Sequence, residues 1–340
     1  MRQQIFSLQV FRGLAALAVV GHHTVTSTGA FVGEMPRWVH NTIGQGNFGV
    51  DFFFVLSGFI IMYIHQHDDK SINSVSSYLK KRFLRVFPIY WCVAIPLALA
   101  YSLLPALSAS GGREINLISS LLLLPGEGVP ILSVAWTLIH EVMFYSIFLL
   151  FFINNRVFLS FILLWVASIL ALNALGEVPS GAGRYFFSLL NVEFVIGMGA
   201  ALYLKRMNSQ RFSALFAISG ITLGIISIYL INIGGDVAIR LCFALGMAML
   251  IIGAAGFERQ KALVWPSFLV LLGNASYSIY LVHNPALSIT QRLFGKVGAS
   301  WEISLLGGIL ITTLFGVIFH LVVEKNVLNK SQKVFKPRPA

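Results

Sequence analysis

Long apolar runs are the feature that most restricts how this chain can fold. A run of about 20 apolar residues crosses the hydrocarbon core of a bilayer as an α-helix, which satisfies its own backbone hydrogen bonds. A shorter run at 116–124 is too brief to span and predicts a short or re-entrant helix. The sequence therefore predicts an all-α, polytopic membrane helical bundle with about ten transmembrane helices, near residues 6–26, 48–66, 86–104, 134–153, 157–175, 185–204, 212–232, 237–256, 268–290 and 302–323.

The overall composition fits a chain that lies mostly in lipid. Hydrophobic residues make up 57% and charged residues only 11% of the 340 residues, and the mean hydropathy is +0.81. A soluble domain carries about a quarter charged residues. Because no long linker, repeat or soluble segment interrupts the pattern, we expect one membrane domain over 1–340, with a core from about 6 to 324 and a basic cytoplasmic tail at 325–340.

The distribution of lysine and arginine predicts the orientation, because cytoplasmic loops are enriched in these residues. If the N-terminus is cytoplasmic, seventeen lysines and arginines of the loops and termini lie inside and five lie outside. This excess inside favours that orientation, so both termini are predicted to be cytoplasmic. The net charge of +11 then reflects topology, and we expect no nucleic-acid partner. The inside set is Arg2, Lys70, Lys80, Lys81, Arg82, Arg85, Arg156, Lys205, Arg206, Arg211, Arg259, Lys261, Lys325, Lys330, Lys333, Lys336 and Arg338; the outside set is Arg37, Arg113, Arg184, Arg292 and Lys296.

The first predicted helix contains polar residues that a lipid-facing helix avoids. In VFRGLAALAVVGHHTV, residues 10–25, Arg12 and His23 are eleven positions apart, so they lie about 20° apart around the axis and about 16 Å apart along it. His22 points about 80° away. An intramembrane arginine costs about 2.5–3.5 kcal/mol on insertion scales. We predict that Arg12 and His23 line one cavity; the alternative is two side chains that snorkel to opposite membrane ends.

Two further groups of polar residues are candidates for a site, one at the cytoplasmic end of the bundle and one in the outer half of the membrane. Arg82 and Arg85, at the cytoplasmic end of the third span, share a helix face and suit a phosphate-bearing ligand. Topogenic charge is the alternative. Glu141 and His283 fall, like His23, in the outer half of the membrane, which suggests a site. Each of these three residues taken alone is also consistent with a structural contact in the bundle.

Several motifs together carry a family resemblance. The chain resembles the membrane-bound acyltransferase family 3, bacterial proteins that O-acylate cell-surface and exported glycans, over nearly its whole length. One departure is the sequence Glu324-Lys325-Asn326, which lacks an expected proline. The matching motifs are Arg12-x10-His23, GVDFFFVLSGF (49–59), RFLRVFPIYW (82–91), WTLIHEVMFY (136–145), NVEFVIGMGA (191–200), LGNASYSIYLVHNP (272–285) and Glu324.

The resemblance implies an acyl transfer across the membrane. Acetyl-CoA, or another acyl-CoA, is the expected donor on the cytoplasmic side, and a sugar hydroxyl of a glycan or lipid-linked glycan is the expected acceptor outside. Arg82 and Arg85 would bind the donor phosphates, and the pantetheine arm would pass Arg12. His23 would be the general base and Glu141 would orient it or stabilise its cation. No metal is expected, and the remaining candidates, in supporting or acceptor-side positions, are Ser57, Trp136, Tyr145 and His283.

Two other classes of function remain open from the sequence. Buried His, Glu and Arg residues also build proton relays in transporters, although we find no inverted repeat of the kind that transporters show. An inactive scaffold for glycan assembly is a third interpretation, but a scaffold does not need these buried titratable groups. The acceptor, the acyl group, the oligomeric state and the roles of Glu193 and Glu324 stay open.

The predicted topology can be tested by cysteine accessibility in intact cells, after both native cysteines are replaced. Ser209→Cys should be protected from a membrane-impermeant maleimide because 205–211 is predicted to be cytoplasmic. Ser300→Cys, in a predicted outer loop, should be labelled. Labelling of residue 209 from outside would overturn the topology and the direction of transfer.

Overall fold

The fold was analysed in a computed structural model that describes residues 5–103, 116–206, 209–233, 237–261 and 263–334. Within these ranges the chain is helical and contains no β-strand. Arg2, Arg113, Lys336 and Arg338, which enter the charge count, lie outside them, as does the end of the predicted tail. The all-α prediction is confirmed.

Every predicted span coincides with helical structure. The predicted short helix is also present, as α5, and the 185–204 span is divided into α8 and α9. A 3-10 segment covers Ile43–Asn47, and a π-helix covers His320–Glu324. The helices are α1 (Phe6–Phe31), α2 (Arg37–Asn41), α3 (Phe48–His65), α4 (Ile72–Leu103), α5 (Leu117–Leu122), α6 (Ala135–Ile153), α7 (Asn155–Leu175), α8 (Gly183–Phe186), α9 (Leu190–Leu204), α10 (Gln210–Asn232), α11 (Val237–Gln260), α12 (Ser267–Lys296), α13 (Trp301–Phe319) and α14 (Lys325–Val334).

Eight stretches of the described chain are long and apolar enough to cross a membrane, compared with the ten predicted. The two predicted spans outside this set, α1 and α12, have 26 and 30 residues and so are long enough. Both carry polar side chains along their length, including Arg12 and His23 in α1, which lowers their hydropathy. These two helices, which hold the candidate residues Arg12, His23 and His283, are thus less apolar than the other long helices.

The chain divides into two compact units. The first comprises Met1–His67, Val192–Tyr277 and Pro285–Leu314, and therefore contains α1, α3 and α9 to α11. The second comprises Asp68–Asn191, Ser278–Asn284 and Phe315–Ala340, and contains α4 to α8 together with the π-helix and α14.

Glycines allow two helices of the first unit to pack closely. A Cβ atom at Gly58 of α3 would overlap the Phe194 carbonyl of α9, and one at Gly197 of α9 would overlap the Val55 carbonyl of α3. Small residues give membrane helices this close backbone approach in the absence of a hydrophobic driving force between them. Gly58 of the LSGF motif and Gly197 of the IGMGA motif therefore have a packing role.

The start of α1 is held by a carboxylate from another helix. Glu258, near the C-terminal end of α11, accepts hydrogen bonds from the Phe6 N–H (2.8 Å), the Ser7 N–H (2.8 Å) and the Ser7 hydroxyl (2.5 Å). These first N–H groups have no partner within the helix, and a negative charge there also stabilises the helix dipole. Glu258 is only 4% exposed. It fixes where α1 begins, and thus the position of the helix that carries Arg12 and His23.

We predict that Glu258→Ala destabilises the protein by about 2 kcal/mol, because it removes a buried charged cap and leaves the donors of Phe6 and Ser7 unpaired. The measurement is the thermal unfolding temperature of purified protein in detergent. Glu34→Ala, which removes an exposed glutamate, is the matched control. Equal unfolding temperatures for the two variants would contradict the capping role.

Candidate active site

Arg12 and His23 lie in one continuous helix, α1, as the sequence predicts. Both side chains are half-buried. The Arg12 guanidinium donates to Gln9 Oε1 at 3.3 Å. His23 Nδ1 lies 3.0 Å from the Val19 carbonyl oxygen. Because a carbonyl oxygen can only accept a hydrogen bond, Nδ1 must carry the hydrogen and donate it. In the neutral ring Nε2 is then the nitrogen that accepts a proton, which suits a general base.

The His23 tautomer is therefore set by its own helix. Sequence reasoning assigned this task to Glu141, but the Val19 carbonyl already occupies Nδ1 in the structure. The part of the Glu141 prediction that concerns stabilisation of the His23 cation stays a prediction.

His22 has a different environment from its neighbour. Its Nδ1–H donates to the Gly44 carbonyl in the 3-10 segment at 2.5 Å. The two imidazole rings meet edge to face, with centroids 4.9 Å apart. His22 thus anchors the segment that follows α2, while the Nδ1–H of His23 bonds to the backbone of its own helix.

An ionic cluster of two buried carboxylates and a partly exposed arginine in the first unit was not predicted. Arg240 Nε of α11 lies 2.6 Å from Asp51 Oδ1 of α3 and 3.9 Å from Glu193 Oε1 of α9. Both carboxylates are fully buried. The structure thus gives Glu193 an ionic environment, whereas the sequence left its role open. Ser57 lies half-buried on α3, the helix that carries Asp51.

In the second unit, three predicted site residues come together. The Arg82 guanidinium lies over the rings of Tyr78 and Tyr145, 5.6 and 5.2 Å from their centroids. The Tyr145 hydroxyl donates to Glu141 Oε1, and the Tyr78 hydroxyl donates to the Tyr145 carbonyl at 2.9 Å. Tyr145 therefore links the predicted phosphate site to the predicted catalytic carboxylate. Tyr78 was missed by the sequence analysis, since a tyrosine at a membrane edge is also typical of an aromatic belt.

Arg85, one turn along α4 from Arg82, interacts electrostatically with Glu324. Glu324 is 2% exposed and closes the π-helix. Its Oε2 accepts from the Ser278 hydroxyl at 2.6 Å and from His320 Nδ1 at 2.7 Å. Such π-helical turns are rare and often occur at functional sites. The sequence indicated Glu324 only through its motif, and the partners His320 and Ser278 were not foreseen.

The last two predicted residues lie in supporting positions. His283 is fully buried, its Nδ1–H donates to the Tyr280 carbonyl at 2.7 Å, and its ring contacts that of Tyr280. Trp136 is 37% exposed and its ring lies 6.0 Å from that of His140. His283 is therefore buried and bonded to its own helix, whereas Trp136 is accessible, and the roles predicted for both stay predictions.

Known proteins resemble this chain over most of its length. An acyltransferase domain family, acyltransferase family 3, matches residues 5–322. The exopolysaccharide production protein ExoZ of Rhizobium meliloti (strain 1021) is 29% identical over 304 residues, which cover 86% of this chain and 92% of that protein. The acyltransferase MdmB of Streptomyces mycarofaciens is 26% identical over 360 residues, which cover 94% of this chain and 90% of that protein.

No solved structure matches the chain significantly. The family match extends from the start of α1 into the π-helix, so it includes the Arg12-x10-His23 pattern, the glycine-rich motif of α3 and the arginine pair of α4. These are the elements whose geometry is described above. The chain therefore belongs to acyltransferase family 3 and is a membrane O-acyltransferase.

Proposed function

We propose that this enzyme transfers an acetyl or another short acyl group from acyl-CoA on the cytoplasmic side of the bacterial inner membrane to a hydroxyl of a surface or exported polysaccharide. The observation that carries the proposal is His23, whose Nδ1–H is bound to the Val19 carbonyl so that Nε2 is the proton acceptor. This nitrogen has the chemistry that an alcohol acceptor requires.

The acceptor class is supported by the relatives. ExoZ, whose name refers to exopolysaccharide production, aligns with 86% of this chain. MdmB supports acyl transfer without specifying a polysaccharide. A carbohydrate hydroxyl is weakly acidic, and its attack on a thioester is accelerated when a base removes the proton as the bond forms.

Arg82 and Arg85 are the residues we assign to the donor. Coenzyme A carries phosphates that guanidinium groups bind through paired N–H donors. Tyr78 and Tyr145 contact Arg82 through their ring faces, which restricts the rotamers of this cation. Arg12 is assigned to the path of the pantetheine arm.

The proposed reaction balances as a simple acyl exchange. His23 Nε2 takes the acceptor hydroxyl proton while the oxygen attacks the thioester carbonyl carbon. The carbon–sulfur bond then breaks, and the leaving thiolate takes the proton back from the imidazolium, so that the ester and free coenzyme A are formed. Glu141 stabilises the transient cation in this proposal, and its hydrogen bond from Tyr145 holds its side chain in place.

The location and orientation rest on the sequence. The seventeen-to-five distribution of lysine and arginine supports cytoplasmic termini. With this orientation the arginine pair of α4 faces the compartment that contains acyl-CoA, and the His23 end of α1 faces the side where exported glycans are assembled.

We predict that His23→Ala abolishes acyl transfer and that Glu141→Gln reduces it strongly, while His22→Ala has a mild effect. The reason is that His23 supplies the base, whereas His22 binds the Gly44 carbonyl. The assay is transfer of radiolabelled acetyl from acetyl-CoA to de-O-acylated surface polysaccharide in membrane vesicles, normalised to inserted protein. An active His23→Ala enzyme, or a His22 variant as inactive as the His23 one, would refute the assignment of the base.

A second prediction concerns the donor site. Arg82→Ala should raise the KM for acetyl-CoA by about 10-fold or more, as expected for the loss of a hydrogen-bonded charge contact of about 1.5–3 kcal/mol. Lys81→Ala removes an exposed cation from the adjacent position of α4 and should leave this KM unchanged. An Arg82 variant with a normal donor KM would show that its charge serves topology alone.

A further inference from the structure

Two buried carboxyl groups of the first unit share one arginine. Asp51 of α3 and Glu193 of α9 are fully buried, whereas the side chain of Arg240 in α11 is 40% exposed. Arg240 Nε donates to Asp51 Oδ1 at 2.6 Å and lies 3.9 Å from Glu193 Oε1. Among the described residues, Arg240 is the cation that interacts with Glu193. If both carboxyl groups were ionised, this Asp51–Glu193–Arg240 cluster would therefore carry a net negative charge.

The carboxyl oxygens of the cluster also lack hydrogen-bond donors. Asp51 Oδ2 and both carboxyl oxygens of Glu193 are buried, and no group in the described part of the chain donates to them. Glu193 nevertheless lies within hydrogen-bonding reach of Asp51. Two carboxylates cannot form this bond because each of them only accepts, whereas a protonated carboxyl group has an O–H that donates. One added proton would therefore complete the hydrogen bond between the two side chains.

The packing of α3 against α9 prevents the two carboxyl groups from moving apart. A Cβ atom added at Gly58 would overlap the Phe194 carbonyl, and one added at Gly197 would overlap the Val55 carbonyl. The two backbones are thus in contact within about two helical turns of the carboxyl groups. Like charges that are held close together in a buried site cannot both remain ionised without a large cost in free energy.

Aromatic rings flank the cluster. The rings of Phe54 and Phe194 meet edge to face with centroids 5.0 Å apart, and the rings of Phe48 and Phe243 have centroids 4.9 Å apart. All four side chains are buried, and each lies within three positions of a member of the cluster in the sequence. Phenylalanine offers no hydrogen-bond donor to a carboxylate, and a buried charge without a partner is strongly unfavourable.

A metal cation fits this cluster less well than a proton does. Hard cations require about six oxygen ligands, and the described residues include no group of three His, Cys, Asp or Glu side chains that could hold a metal ion. The guanidinium of Arg240, whose Nε is 2.6 Å from Asp51, would also repel a second cation. A proton needs only the two oxygen atoms that it joins.

We propose that Asp51 and Glu193 share one proton, which makes the Asp51–Glu193–Arg240 cluster a proton-binding site without net charge. The proton joins α3 to α9, and Arg240 joins α11 to α3. In other closely spaced carboxyl pairs, one proton likewise serves both groups. The inference does not rest on the proposed acyl transfer, because it involves neither His23 nor the arginine pair of α4. It gives Glu193, whose role the sequence left open, a defined function.

The test is infrared spectroscopy of the full-length protein, in a detergent without ester groups and in heavy water at neutral pH. A protonated carboxyl group has a carbonyl band at higher frequency than the bands of carboxylates and backbone amides. We expect this band in the wild type and its complete loss in both Glu193→Gln and Asp51→Asn. In each variant the remaining carboxylate pairs with Arg240, and the new amide supplies an N–H donor in place of the proton.

The matched control is Glu258→Gln, which also removes a buried carboxyl group of the first unit. Glu258 has three hydrogen-bond donors and needs no added proton, so this variant should keep the band at its wild-type intensity. The thermal unfolding temperature is measured on the same samples. Glu193→Gln and Asp51→Asn should each unfold at the wild-type temperature, because replacing one member of a proton-sharing pair by an amide leaves no charge without a partner.

Each alternative result contradicts the shared proton in a different way. A wild-type spectrum without the band, or a band that persists in either amide variant, would overturn it. An amide variant that fails to fold would contradict the neutral pair, and loss of the band in Glu258→Gln would show a general structural effect. A missing band together with an unfolding temperature that rises with sodium chloride, but not with choline chloride, would assign the cluster to a metal cation.

Discussion

The hydrogen bonds of Glu258 to the first residues of α1 are the interaction on which the rest of the candidate site depends. A helix buried among other helices can slide along its axis, and Arg12 and His23 are useful only at defined depths. The Glu258 carboxylate fixes the start of α1 at Phe6 and Ser7, and hence the height of every residue along it. Because an isolated carboxylate is costly in a medium of low dielectric constant, these three donors also explain how Glu258 is tolerated at 4% exposure.

The need to give buried carboxylates a partner also organises other polar groups in the first unit. Arg240 lies between Asp51 and Glu193, so α11 is tied to both α3 and α9 by charge. The glycines at Gly58 and Gly197 let α3 and α9 approach closely enough for their carboxylates to share this arginine. Burying one member without the others would leave an uncompensated charge, which costs several kcal/mol. Tight packing and charge pairing therefore depend on each other in this unit.

The sequence could predict the fold because apolar runs and helical periodicity are local properties. The sequence located every long helix, and the periodicity of α1 correctly placed Arg12 and His23 on one helix.

The sequence could not predict partners that come from distant residues: Glu258 is about 250 positions from Ser7, and Arg240 is 189 from Asp51. It also assigned the tautomer of His23 to Glu141, because pattern reasoning searches among side chains, whereas the Val19 backbone carbonyl does this. The break between α8 and α9 was likewise hidden in a continuous apolar run.

The arginine pair of α4 shows how one motif gives two different electrostatic environments. Arg82 is held by the ring faces of Tyr78 and Tyr145, which restrain its guanidinium. Arg85 interacts with Glu324, whose carboxylate also binds Ser278 and His320. The two arginines thus have different partners, although only two residues lie between them in the chain.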